Sequence, residues 1–209
     1  MTREKVVDAI IEEEKPFFFP RLVAYAIDTI LVFVLMLGVA LVLPTNSNHQ
    51  KYIDEYKKAQ ADLIEEKITK EEFVNKSKDI VYDIDYSNTL VTLSQTVVFI
   101  LYFVVFQYYN KGQTIGKKLM GIKVINNNGN ELNINQVAIH ALIANSIIIN
   151  LLSIASVLFI GREYYYYASL GLQILNYSVI IVALLMIIFR KDGKGLHDVL
   201  ANTKVISAK

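Results

Sequence analysis

Asp28 is the residue in this sequence that demands an explanation first. It stands alone in "FPRLVAYAIDTILVF", and Leu22–Leu43 holds no other charge over 22 residues. An ionised carboxylate at the centre of a membrane-spanning helix costs roughly 2.5–3.5 kcal/mol on insertion scales. Such a group must face a partner rather than acyl chains. Arg21 lies seven residues earlier, which is two helical turns and about 20° off the same face. It is expected to lean toward Asp28, directly or through water. The pair supports either an ion- or proton-binding site or a lock between helices.

Other polar residues recur at helical spacing inside apolar runs: Gln95 with Thr92 and Thr96, Asn150 with Ser146 and Ser153, Gln173 and Asn176 with Ser169. Gln95, Asn150, Gln173 and Asn176 should turn toward a bundle interior, where amides find partners. Catalytic patterns are missing. "GQTIGKK" places its glycines too close for a phosphate loop and has Lys118 where a magnesium-binding hydroxyl belongs. His49, His140 and His197 show no metal-ligand spacing, and His140 reads as an interfacial histidine. No nucleophile turn of the G-x-S-x-G kind occurs, and there is no cysteine. The expectation is a non-enzyme with no cofactor, no catalytic residue and no metal.

The elements that must carry these residues are membrane helices. The 209 residues are 54% hydrophobic, and the charges cluster between apolar runs. Residues 1–20 form an amphipathic segment, with Pro16 as its stop and Phe17–Phe19 at the headgroup boundary. Transmembrane helices are expected at 21–43, 89–109, 137–160 and 169–189, each above the ~18-residue threshold for a crossing. The first apolar run is too long for a cleaved signal peptide. Residues 44–88 are a charged helical insertion, with Thr69 and Glu72 forming a capping box. Residues 110–136 form a basic loop in which "IKVINNNGNELNI" suits a small β-hairpin. Residues 161–168 connect the last two helices, and 190–209 form a tail. The fold class is thus an all-α membrane protein, a four-helix bundle with an insertion between helices 1 and 2.

Thirteen of the 21 basic residues fall on the side of the two termini and the 110–136 loop, including Arg21, Lys111, Arg190 and Lys191 at helix ends. That bias places both termini in the cytoplasm of a multi-pass cell-membrane protein and the insertion outside. The net charge of +1 and the lack of a dense basic run argue against nucleic acid as a partner. The lipid bilayer is the partner the composition implies.

Three motifs, in order, resemble the RDD family of small bacterial membrane proteins, named for one arginine and two aspartates. Arg21 and Asp28 fit the first motif. "GQTIGKKLMGIKV" fits the second, through Gly112, Thr114, Gly116, Lys117 and Gly121. "LHDVLANT" fits the third, through His197 and Asp198. The resemblance implies the same transmembrane core, with the 44–88 insertion as an addition. It also implies ligand movement, in some members an exchange of monovalent cations for protons. Beside that, the glycines permit close backbone approach, the lysines suit anionic headgroups, and Asp198 is expected to pair with Lys117 or Lys118.

Two functions follow. The first is transport of a small ligand or cation–proton exchange with Asp28 as carrier, in a homo-oligomer because four helices enclose little. The second is a non-enzymatic membrane partner that docks a protein or lipid through the insertion or the basic loops. Few Gly or Pro residues interrupt the spans, so no discontinuous helix is expected.

Overall fold

The computed structural model describes residues 18–43 and 46–208; the expected amphipathic segment before Phe18 lies outside them. The described chain is mostly helical. It divides into two compact units. One holds the residues up to Leu37, Val97–Ile147 and those from Tyr177 on; the other holds Gly38–Thr96 and Ile148–Asn176.

Among the described residues, three helical stretches are long and apolar enough to cross a membrane: α1 (Phe18–Val42), the Thr89–Tyr109 stretch, and α9 (Arg162–Phe189). At about 1.5 Å per residue, the 25 residues of α1 exceed the ~30 Å hydrocarbon core. Thr89–Tyr109 comprises α4 (Thr89–Ile100), a π-helical run over Leu101–Phe106, and α5 (Gln107–Tyr109). Leu41, Phe159 and Phe189 are 88%, 85% and 77% exposed, apolar surface that lipid would cover.

The expected third span is broken. α7 (Ile134–Ala144) and α8 (Ile147–Phe159) meet at 71°, with Ser146 at φ +55° between them. An uninterrupted helix was the expectation. The cause is local: Asn145 caps α7, and its side chain returns to the Ala141 carbonyl at 3.2 Å. The connector before the last span also shortens, because α9 begins at Arg162 rather than near Ser169. "REYYYYA" lacks a breaker, and Glu163 suits a first helical turn.

In the first unit, β1 (Ile122–Asn126) pairs antiparallel with β2 (Thr203–Ser207), Val124 opposite Val205. This replaces the expected hairpin within the loop. Gly129 N–H does bond the Asn126 carbonyl in a turn. The chain beyond cannot return as a strand, because Asn133 and Gln136 form the capping box of α7. Gln136 also bonds the carbonyls of Ala201 and Asn202 and accepts from Asn126, tying α7 to the sheet. Ile122, Val124 and Val205 pack with Ala24 of α1. Short helices α6 (Ile115–Leu119) and α10 (Leu196–Leu200) precede the two strands.

In the second unit, α2 (His49–Ile64) and α3 (Lys70–Ser87) form the insertion. α3 starts on the expected capping box, with Thr69 Oγ1 accepting from Glu72 N–H and Glu72 accepting from Thr69 N–H. Arg162 at the head of α9 pairs with Asp79 and Asp83, and the Tyr165 hydroxyl donates to Asp85 at 2.7 Å.

Candidate functional site

The polar residues of the first unit gather in two assemblies. At the first, both Asp28 oxygens are taken. Oδ1 accepts from the Tyr102 hydroxyl at 2.6 Å and from Gly116 N–H at 2.8 Å, and Oδ2 accepts from the Thr114 hydroxyl at 2.6 Å. Asp28 is 2% exposed, and these bonds offset its lost hydration. Each donor is positioned by its own element. Tyr102 sits in the π-helical run, whose wide turn re-aims a side chain, and its hydroxyl accepts from Ile115 N–H. Thr114 caps α6. Gly116 is required by proximity: a Cβ there would lie 2.2 Å from the Ala24 carbonyl oxygen. Gly112, at φ +84°, likewise has no room for a side chain beside the Val124 carbonyl.

The second assembly centres on Asp198, which is fully buried. Its Oδ2 accepts from Arg21 Nη1 and Gly195 N–H, both at 3.0 Å, and Oδ1 accepts from Thr203 at 3.4 Å. His140 Nε2 approaches Oδ1 to 3.3 Å, and His197 Nε2 approaches Oδ2 to 3.6 Å. The two imidazoles meet edge to face at 4.7 Å. Burial pushes the Asp198 carboxyl upward. The approach of His140 and the charges around it, Arg21 included, reverse that and hold it below the carboxylate range. Burial, with His140 adding to it, pulls His197 down to about 3.

The pairing expected of Arg21 is therefore corrected. Arg21 goes to Asp198, not Asp28, and Asp198 takes an arginine in place of Lys117 or Lys118. Lys117 instead bonds the Gln107 amide oxygen at 3.1 Å, and burial draws it down to about 8 against the pull of Asp28 and Asp198.

A cavity of about 310 Å³ adjoins both assemblies. Its lining holds Arg21, Asp28, Lys117, His140 and His197, apolar residues of α1, α7 and α9, Phe103, Ile122 and Val205, and Asn145 and Ser146 at the helix break. Among the described residues, Arg21 Nε, His140 Nδ1, His197 Nδ1 and Gln107 Nε2 are buried without hydrogen-bond partners, while His140 Nε2 faces Asp198.

Ligand atoms of His140, His197 and Asp198 lie within 4.8 Å of one another, close enough to suggest a metal. The set does not fit one. Asp198 already accepts from Arg21, Gly195 and Thr203, and a guanidinium 3.0 Å away repels a cation.

A family model described as the RDD family matches residues 15–202. The chain belongs to the RDD family. No curated protein and no solved structure matches it. In this RDD chain, the motif residues Thr114 and Gly116 bond Asp28, Lys117 lies within its field, Gly112 packs against Val124 of β1, and His197 and Asp198 join Arg21. Gly121, at φ +63°, turns the chain into β1. Gln95, Asn150, Gln173 and Asn176 belong to the second unit, and Gln173 is exposed rather than interior. Sequence reasoning missed Tyr102 and Thr203 and left His140 at an interface. A hydroxyl amid "VVFILYFVVF" was the available signal for Tyr102.

Proposed function

We propose that this RDD protein is a membrane transporter of a small ligand, and that the ligand binds in the first unit's cavity. One observation carries the reading: a largely apolar cavity is lined by Arg21, His140 and His197, whose Nε, Nδ1 and Nδ1 atoms are buried without hydrogen-bond partners among the described residues. The break at Asn145–Ser146 beside it supports transport, since interrupted helices flank binding sites in transporters. Exchange of a monovalent cation for protons at Asp28 has less support, because three donors already occupy its oxygens. Asp28 acts instead as a latch on the 112–116 loop.

Four crossings with both termini on one side fit this reading by parity. Arg21 at the head of α1 meets Asp198 beyond α9, so an even number of crossings separates them. α1, Thr89–Tyr109 and α9 make three, and the bent α7–α8 pair supplies the fourth. The basic-residue bias makes that shared side cytoplasmic.

Mass spectrometry of extracts from the purified protein tests the binding site. The wild-type protein should retain a species that Ala183→Trp, which fills the cavity, loses. That species should show counterflow in liposomes. Identical extracts from the two proteins, or no counterflow, would overturn the proposal.

A further inference from the structure

Two kinds of side chain line the cavity, and together they describe the ligand. The polar kind has a surplus of donors. Asp28 spends its oxygens on Tyr102, Thr114 and Gly116, and Asp198 on Arg21, Gly195 and Thr203. Left over are Arg21 Nε and the Nδ1 atoms of His140 and His197, since both Nε2 atoms face Asp198. The Lys117 ammonium meets a neutral amide oxygen. A guanidinium and an ammonium have no acceptor capacity, and each imidazole carries at least one N–H. Such a set is completed by a group that only accepts and is negatively charged. Carboxylate and phosphate fit best, since charged acceptors make the stronger bonds to such donors; a cationic headgroup does not fit.

The rest of the lining is mostly apolar, Leu22, Ile143, Val179, Ala183 and Ile187 among it, with Asn145 and Ser146 at the helix break. Leu22 and Tyr25 at the rim are 44% and 53% exposed, so the cavity opens along the apolar surface of α1. A free hydrophilic anion would leave this part unused.

The geometry points to an anionic amphiphile as the ligand: its carboxylate or phosphate headgroup meets Lys117, Arg21, His140 and His197, and its hydrocarbon tail lies between α1 and α9. This deepens the proposed function and rests on its reading of the cavity as the ligand site.

The sequence has no tryptophan, so Tyr25→Trp in the full-length protein in non-ionic detergent gives a single emitter at the rim; Leu22→Trp gives a second. The probes are a brominated long-chain carboxylate, a brominated alkyl phosphate and a brominated alcohol of equal chain length, each a quencher. The two anions should quench saturably at concentrations about tenfold or more below the alcohol, which is what one charge-assisted hydrogen bond supplies. Lys117→Gln should abolish most of that preference, and Lys117→Arg, which keeps the charge, should retain it. Ala183→Phe should weaken all three probes, while inorganic phosphate and acetate should displace none.

The overturning results are distinct. Equal quenching by alcohol and anions, still blocked by Ala183→Phe, refutes an anionic headgroup and leaves the cavity site standing. Displacement by inorganic phosphate makes the ligand a free anion. Quenching untouched by Ala183→Phe removes the cavity site, and the proposed function with it.

Discussion

A carboxylate whose oxygens take three hydrogen-bond donors is held by geometry, and its substitutions should separate geometry from charge. Asp28→Ala strands the Tyr102 and Thr114 hydroxyls and the Gly116 N–H, at about 1–3 kcal/mol for each buried group left unpaired. Asp28→Asn keeps the shape, and the hydroxyls can rotate to accept from its amide. Denaturation in detergent should therefore rank Asp28→Ala well below Asp28→Asn, with Asn nearer wild type. Were charge itself the requirement, the two would fall together. At Lys117 a pH dependence follows. Burial brings this lysine to about 8, with Asp28 and Asp198 raising it and Arg21 lowering it; His140 also lines its cavity. A lowered lysine is charged below its folded value and neutral above it, so anion affinity should fall as pH rises through about 8. Lys117→Arg should flatten that profile in the quenching titration.

At the scale of elements, close approach and caps decide what holds. Gly116→Ala sets a methyl 2.2 Å from the Ala24 carbonyl oxygen; α1 and the loop must separate, at about 1–3 kcal/mol for overpacking. It should weaken the first unit in the way Asp28→Ala does, and the double variant should cost less than the sum. Thr69→Ala removes the α3 capping box at about 1 kcal/mol. Hydrogen exchange should place that loss in α2 and α3 and spare the first unit. The cap was legible because its residues are three apart in the chain. The β1–β2 pairing was not, because its partners are some 80 residues apart, Val124 to Val205, and nothing local in "IKVIN" names a distant strand. The break in α7–α8 was hidden for a related reason: Asn and Ser bend a chain only where their side chains find a backbone carbonyl.

For the whole molecule, the Arg21–Asp198 pair joins segments 177 residues apart. Breaking a buried pair costs about 3–5 kcal/mol, whereas replacing both partners by apolar residues costs far less. Arg21→Met and Asp198→Leu should each lower the melting temperature sharply, and the double variant should recover much of the loss. A double variant as unstable as the worse single would mean the pair is not what joins these segments. The membrane character was readable from composition, and Arg21, Asp28 and Asp198 from their motifs, whereas Tyr102, Thr203 and the role of His140 were not. Which acid met which base was not, since helical spacing placed Arg21 near Asp28 while the fold brought a better-matched carboxylate from the tail.

The cavity's walls are fastened unequally. The 112–116 loop is fastened to α1 by hydrogen bonds at Asp28, whereas α9 presents Val179, Ala183 and Ile187 to the cavity. Under the proposed function, the wall expected to yield is this part of α9. Because the chain has no native thiols, engineered cysteine pairs can bar it. A crosslink from α1 to α9 should trap a bound amphiphile, and one from α1 to the loop should let it come and go.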